Sequence, residues 1–126
     1  MYIFLLPNAA AVATPSDSAS KSKAARASFD DGNAHAVQLE AWIDAHTATL
    51  APLKNFVLPS GGRCAAQLHV ARSVCRRAER EVHPLVANNA LGPDVAAYVN
   101  RLSDYLFTAA RVAAKANGRP EVIWRK

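Results

Sequence analysis

From residue 34 onward the apolar positions of the chain recur at three- and four-residue intervals. Val37, Leu39, Ala41, Trp42, Ile43, Ala45 and Leu50 fall between Ala34 and Leu50, and the Leu39–Trp42–Ile43 spacing predicts a first helix there, with Pro52 just past its end. A second helix is predicted from Arg63 to Val86. Ala66, Val70, Val74 and Ala78 recur every four residues, with Leu68, Ala71, Cys75 and Val82 beside them. Its opposite stripe reads His69, Arg72, Ser73, Arg76, Glu79, Arg80 and His83, and Pro84 is expected to kink or stop it. A third helix is predicted from Pro93 to Asn117. Pro93 suits a first turn, Gly118 suits the position after the last, and Val95, Val99, Leu102, Leu106 and Ala109 form a seam. Asn100, Asp104 and Arg111 fall near a second, polar face of that helix. Between the first two helices lies Asn55-Phe-Val-Leu-Pro-Ser-Gly-Gly62, a short extended segment followed by a turn. Ser60 is placed to cap the second helix, and the two glycines allow a close backbone approach. With no convincing strand pattern and no internal repeat, the expected fold is an all-α helical bundle.

The first 33 residues lack this periodicity and are read as a disordered or unrelated segment, separate from a helical domain at 34–126. Residues 1–6 are apolar but Pro7 interrupts them, and they have neither the basic start nor the apolar length of a secretory signal. Residues 14–28 are rich in Ser, Ala, Lys and Arg with Asp17 as the one acid, a composition that suits an organelle transit peptide or a disordered tail. The Phe29-Asp-Asp-Gly32 run reads as a boundary turn. No run of about 18 apolar residues occurs, so no membrane-spanning helix is expected.

A length of 126 residues bounds the chain to one domain, and much of its 51% hydrophobic content is alanine, which buries little area per residue. Association with other subunits would relieve that shortage. The net charge of +5 fits either ordinary solubility or an anionic partner. Cys64 and Cys75, on one helix, stand roughly 16 Å apart at 1.5 Å per residue, too far to pair, which points to a reducing compartment.

The densest charged feature is Arg72, Arg76, Arg77, Glu79 and Arg80. Arg72, Arg76 and Arg80 share one helix face and would repel one another unless an anion or a neighbour's carboxylates receive them. Guanidinium donors fit phosphate oxygens in pairs. A solvated basic face with Glu79 as local partner is the structural alternative; a nucleic-acid surface is disfavoured by the lack of interleaved aromatics or a binding module. Asn100 and Asp104, one turn apart, can orient these arginines or meet a ligand, and a salt bridge from Asp104 to Arg101 or Arg77 is the alternative. Phe56 is either core or a ligand contact. His69 and Cys75 do not share the spacing of metal ligands, so no metal site is expected, and neither cysteine has a base beside it.

These motifs together resemble the PduO-type ATP:cob(I)alamin adenosyltransferases. The resemblance rests on Phe56-Val-Leu-Pro-Ser-Gly-Gly62, on Arg72-Ser-Val-Cys-Arg-Arg-Ala-Glu-Arg80, on Asn100-Arg-Leu-Ser-Asp-Tyr-Leu-Phe107, on Glu121-Val-Ile-Trp124 and on Leu39-Glu-Ala-Trp-Ile-Asp44 before the FVLP turn. It implies part of a five-helix bundle, about three to four helices of it, assembling as a homotrimer with sites between subunits. The implied reaction moves the 5′-deoxyadenosyl group of ATP to cob(I)alamin and releases triphosphate, with Mg²⁺ accompanying ATP. By position, Arg76 and Asn100 resemble ATP-contacting residues, with Arg77 and Arg80 in the same cationic cluster. Arg72 resembles an intersubunit ion-pairing arginine, Glu79 an acid beside the nucleotide, and Asp104 a supporting acid. Phe56 resembles the aromatic that packs on the corrin and keeps the lower ligand off cobalt. Partners are then ATP and a corrinoid, with neither nucleic acid nor membrane, in the cytoplasm of a bacterium or the mitochondrion of a eukaryote.

The sequence departs from the family pattern at its start. The nucleotide loop close to T-R-x-G-D-x-G and the following V-D-E-L helix have no counterpart in residues 1–33. Weaker ATP affinity, an unpaired Arg72 and uncovered apolar surface on the helices are the expected consequences. A helical remnant that binds or assembles without turnover is the alternative function.

Overall fold

A computed structural model describes residues 31–125. The readings made for residues 1–30 lie outside them. A single 3₁₀ turn at Asp31–Asn33, with Gly32 at φ 70°, leads into α1 (Ala34–Thr47); α2 spans Arg63–Ala87 and α3 spans Pro93–Ala116. The three helices lie within a few residues of their expected bounds, and the all-α bundle stands. Pro84 does not stop α2, which continues to Ala87. Beyond Pro84 the end of the helix is closed by the Asn88 amide, which donates to the Pro84 carbonyl at 3.0 Å. Among the described residues no helix is long and apolar enough to cross a membrane.

The third helix is the centre of the packing, against α2 on one side and α1 on the other. Leu39, Tyr98 and Val99 are buried together, with Trp42, Cys75, Leu102 and Tyr105 packed around them. Trp42 and Tyr105 meet with ring centroids 5.7 Å apart. Because α3 is covered on two sides, its buried set (Val95, Tyr98, Val99, Ser103, Thr108, Ala110, Arg111, Ala114) wraps around the helix, and Arg111, expected on a polar face, is buried. Leu102, Leu106 and Ala109 of the expected seam are only half-buried.

The inward face of α2 reverses the expectation. Ala65, His69, Glu79 and Val82 are buried, whereas Val70 and Val74, expected to face the core, are 57% and 50% exposed. Hydropathy misleads here because Glu79 accepts from Asn100 inside the seam and pairs with Arg76 at its edge, and a partnered carboxylate can occupy a seam that an unpartnered one cannot.

Ser60 does not cap α2, whose N-cap is Gly62 with no side-chain cap. The Ser60 hydroxyl instead donates to the Leu58 carbonyl (2.8 Å) and accepts from the Val122 amide (2.9 Å). It thereby serves a different contact: the extended segment pairs with the tail through an antiparallel bridge between Val57 and Ile123. Gly61, at φ 92°, lies so close to Ala114 of α3 that any Cβ would collide with it, which is the close approach that the double glycine allows.

Candidate functional site

Four of the expected site residues converge on the α2–α3 seam. Asn100 Nδ2 donates to Glu79 Oε1 at 2.9 Å, and Arg76 stands 2.6 Å from Glu79 Oε2. Glu79 is 5% exposed, whereas nearly half of the Arg76 side chain is open to solvent. The buried carboxylate thus holds an exposed guanidinium from below. Arg80 turns back to donate to the Arg76 carbonyl at 3.3 Å. His83, a residue that sequence reasoning assigned no role, lies 3.7 Å from Glu79 Oε1 through Nε2. Its place four residues after Glu79 was the available signal.

Arg72, one turn before Arg76, is half-buried and lies over the ring of Phe107, 5.3 Å from its centroid. That is cation–π range. Both residues line a cavity of about 610 Å³ with Leu53, Lys54, Phe56 and Trp124. Phe56 is 82% exposed, so the loop aromatic is not core. Phe107 and Trp124 were part of the quoted motifs but were not singled out. The spacing of Phe107 from Asn100 and Asp104, at i, i+4 and i+7, puts all three on one helix face.

Two expected residues sit elsewhere. Asp104 Oδ2 accepts from Arg101 at 3.0 Å, and Arg101 also reaches Glu40 of α1 at 3.0 Å, so Asp104 ties α3 to α1 through Arg101. Arg77 faces a shallower groove of about 290 Å³ on the other flank of α2, lined by His69, Val70, Ser73, Val74 and Arg80. His69 is buried with Nδ1 lacking a hydrogen-bond partner among the described residues. Burial, and then the charge of Arg72, hold its pKa below the usual histidine value. Burial and the nearby Glu79 push the Cys75 thiol up to about 11. Cys64 and Cys75 are both free, as the spacing required.

The arrangement offers the exposed guanidinium groups of Arg76 and Arg80, one and two turns beyond a cavity lined by aromatic rings and by the cations Arg72 and Lys54. Such a site suits a ligand pair of which one member is polyanionic and the other large and flat. Among the described residues no three His, Cys, Asp or Glu side chains come together.

Known proteins resemble this chain over most of its length. The cobalamin adenosyltransferase family model matches residues 4–113. The mouse corrinoid adenosyltransferase MMAB is 48% identical over 116 residues, which make up 92% of this chain and 48% of the relative. A phenylalanine-to-alanine variant of the PduO-type ATP:corrinoid adenosyltransferase from Lactobacillus reuteri, complexed with cobalamin and ATP, superposes with a TM-score of 0.74 at 38% identity, covering 90% of this chain and 60% of that one. An arginine-to-lysine variant of the same enzyme, complexed with ATP, gives 0.69 at 38% identity over 89% and 59% of the two chains. The chain spans about half the length of the curated relatives it matches. With a family model over most of its length and a bundle that superposes on solved relatives, the chain belongs to the cobalamin adenosyltransferase family.

Proposed function

We propose that this chain transfers the 5′-deoxyadenosyl group of ATP to cob(I)alamin, giving adenosylcobalamin and triphosphate. The observation that carries the reading is that exposed Phe56 and the cation Arg72 share one cavity, one helical turn from an Arg76 that Glu79 holds in place. Relatives with the same fold bind cobalamin and ATP. The phenylalanine and the arginine altered in them are twenty residues apart, the separation of Phe56 and Arg76.

In this reading cobalt(I) contributes its electron pair to the 5′ carbon, a Co–C bond forms, the C5′–O bond breaks, and the electron pair leaves on triphosphate. The task of the protein is placement and charge compensation. Arg76 and Arg80 offset the growing charge of the leaving polyphosphate, whereas Arg77 faces the other flank of α2. Asn100 contacts the nucleotide and orients Glu79, which fixes Arg76, while Asp104 supports the seam by holding Arg101. Phe56 packs against the corrin and excludes a lower axial ligand. Arg72 stays over the Phe107 ring at the cavity, the chain assembles as a homotrimer, and Mg²⁺ enters with ATP as part of the substrate.

Anaerobic mixing with ATP and chemically reduced cobalamin tests the proposal through the absorbance of adenosylcobalamin. Product formation that saturates in ATP is expected. Assembly as a trimer with no product would reject it in favour of a binding or assembling role.

A further inference from the structure

We infer that Arg111 is a positioning residue that fixes Phe56 and Trp124 at the mouth of the cavity, through Glu121 and the linker after α1. This inference rests on the proposed adenosyl transfer for its functional arm. Arg111 is 5% exposed near the end of α3, and its guanidinium fork is filled from two other segments. Nε donates to Glu121 Oε1 at 2.9 Å and Nη2 to Glu121 Oε2 at 3.3 Å, the paired geometry that only arginine offers a carboxylate. The same Nη2 donates to the Ala51 carbonyl at 2.7 Å. One buried cation thus joins the linker that leads to Phe56 and the tail that leads to Trp124.

Those two segments are then stitched together beyond the clamp. The Leu58 amide donates to the Val122 carbonyl at 2.8 Å and the Trp124 amide to the Phe56 carbonyl at 2.9 Å. Apolar packing contributes little to this platform. Leu53, Val122, Ile123 and Trp124 are each about half exposed, and a cavity of about 340 Å³ lies between linker, tail and Arg111. Where apolar burial is slight, hydrogen bonds to a charged group set position. Lys115 adds an exposed contact to the Thr49 carbonyl. It reaches the linker at Thr49, two residues before Ala51, and its side chain makes no bond to Glu121.

Two variants of the full chain test this: Arg111→Lys, which keeps the charge but not the fork, and Glu121→Gln, which keeps the shape but not the charge. Amide hydrogen exchange at Leu58, Val122 and Trp124 is expected to quicken about tenfold, while amides inside α2 and α3 keep their protection. In the transfer assay the KM for the corrinoid is expected to rise about tenfold with the KM for ATP unchanged. Unchanged exchange at the three amides in a folded variant, or an equal rise in both KM values, overturns the inference. If Arg111→Lys does not fold, Glu121→Gln decides the matter, since Glu121 is partly exposed. If the unaltered chain shows no turnover, the proposed function fails by itself, and the exchange result alone upholds or overturns the clamp.

Discussion

Asn100 on α3 and Glu79 on α2 are joined by a 2.9 Å hydrogen bond inside the seam between the two helices. This bond explains why a carboxylate occupies a buried position of a helix whose exposed flank carries Val70 and Val74. Asn100→Leu would leave Glu79 Oε1 without its amide donor. A buried acceptor stripped of its partner costs about 1–3 kcal/mol, more when charged. Urea denaturation should therefore show a loss of at least about 1 kcal/mol, and a change below half of that would mean the seam does not depend on this pair.

Arg76 and Arg63 lie on the same helix but differ in surroundings. Arg76 is held by Glu79, whereas Arg63 is exposed in the first turn of α2. Arg76→Ala is expected to raise the KM for ATP about tenfold or more, the value of one charge-assisted phosphate contact, and Arg63→Ala to change it less than about twofold. Equal effects in steady-state kinetics would count against the site.

The pH dependence of stability should carry the signature of His69. Its folded-state pKa lies below the ordinary 6.5, because burial and Arg72 oppose the charged ring. The unfolded chain then binds the proton more readily than the native one. The contribution of this group to stability is full above pH 6.5 and is lost as pH falls from there toward the lowered native value. Thermal melts of the parent and of His69→Phe should show a smaller acid-induced drop over pH 7.5 to 5.5 in the variant. A parallel pair of curves would contradict this.

Cys75 donates its thiol to the Val99 carbonyl at 3.3 Å and has a pKa near 11, so about one part in a thousand is thiolate at pH 8. Thiol titration at that pH should label Cys64, which is exposed, in a fast phase, and Cys75 only slowly or on unfolding. Mass spectrometry of the labelled chain identifies the site. Two thiols reacting at one rate would show that the α2–α3 seam opens readily.

Much of this was legible in the sequence because helices announce themselves. Pro93 and Gly118 bracket α3, and Leu39, Trp42 and Ile43 mark α1. The arginine, Glu79 and Asn100 motifs stood out because their residue types are specialised, and the fold brings Arg76, Glu79 and Asn100 together. The orientation of α2 was not legible. Ala66, Val70, Val74 and Ala78 make the more hydrophobic stripe, yet the helix turns His69 and Glu79 inward. That preference depends on a partner, Asn100, 21 residues away in sequence. Ser60 was misread for the same reason, since its nearest helix is α2 but its hydrogen bond comes from Val122. The buried role of Arg111 likewise depends on Ala51, 60 residues upstream, and on Glu121. Local spacing encodes faces and ends, whereas these contacts arise only when distant segments meet.

The claim that the α2 guanidinium row serves adenosyl transfer is tested most directly by ³¹P NMR of the phosphate products, under anaerobic turnover with ATP and cob(I)alamin. The account predicts intact triphosphate, one per adenosylcobalamin formed, and its strong reduction in Arg76→Ala. Release of diphosphate and phosphate without adenosylcobalamin, or triphosphate formation indifferent to Arg76, would contradict it.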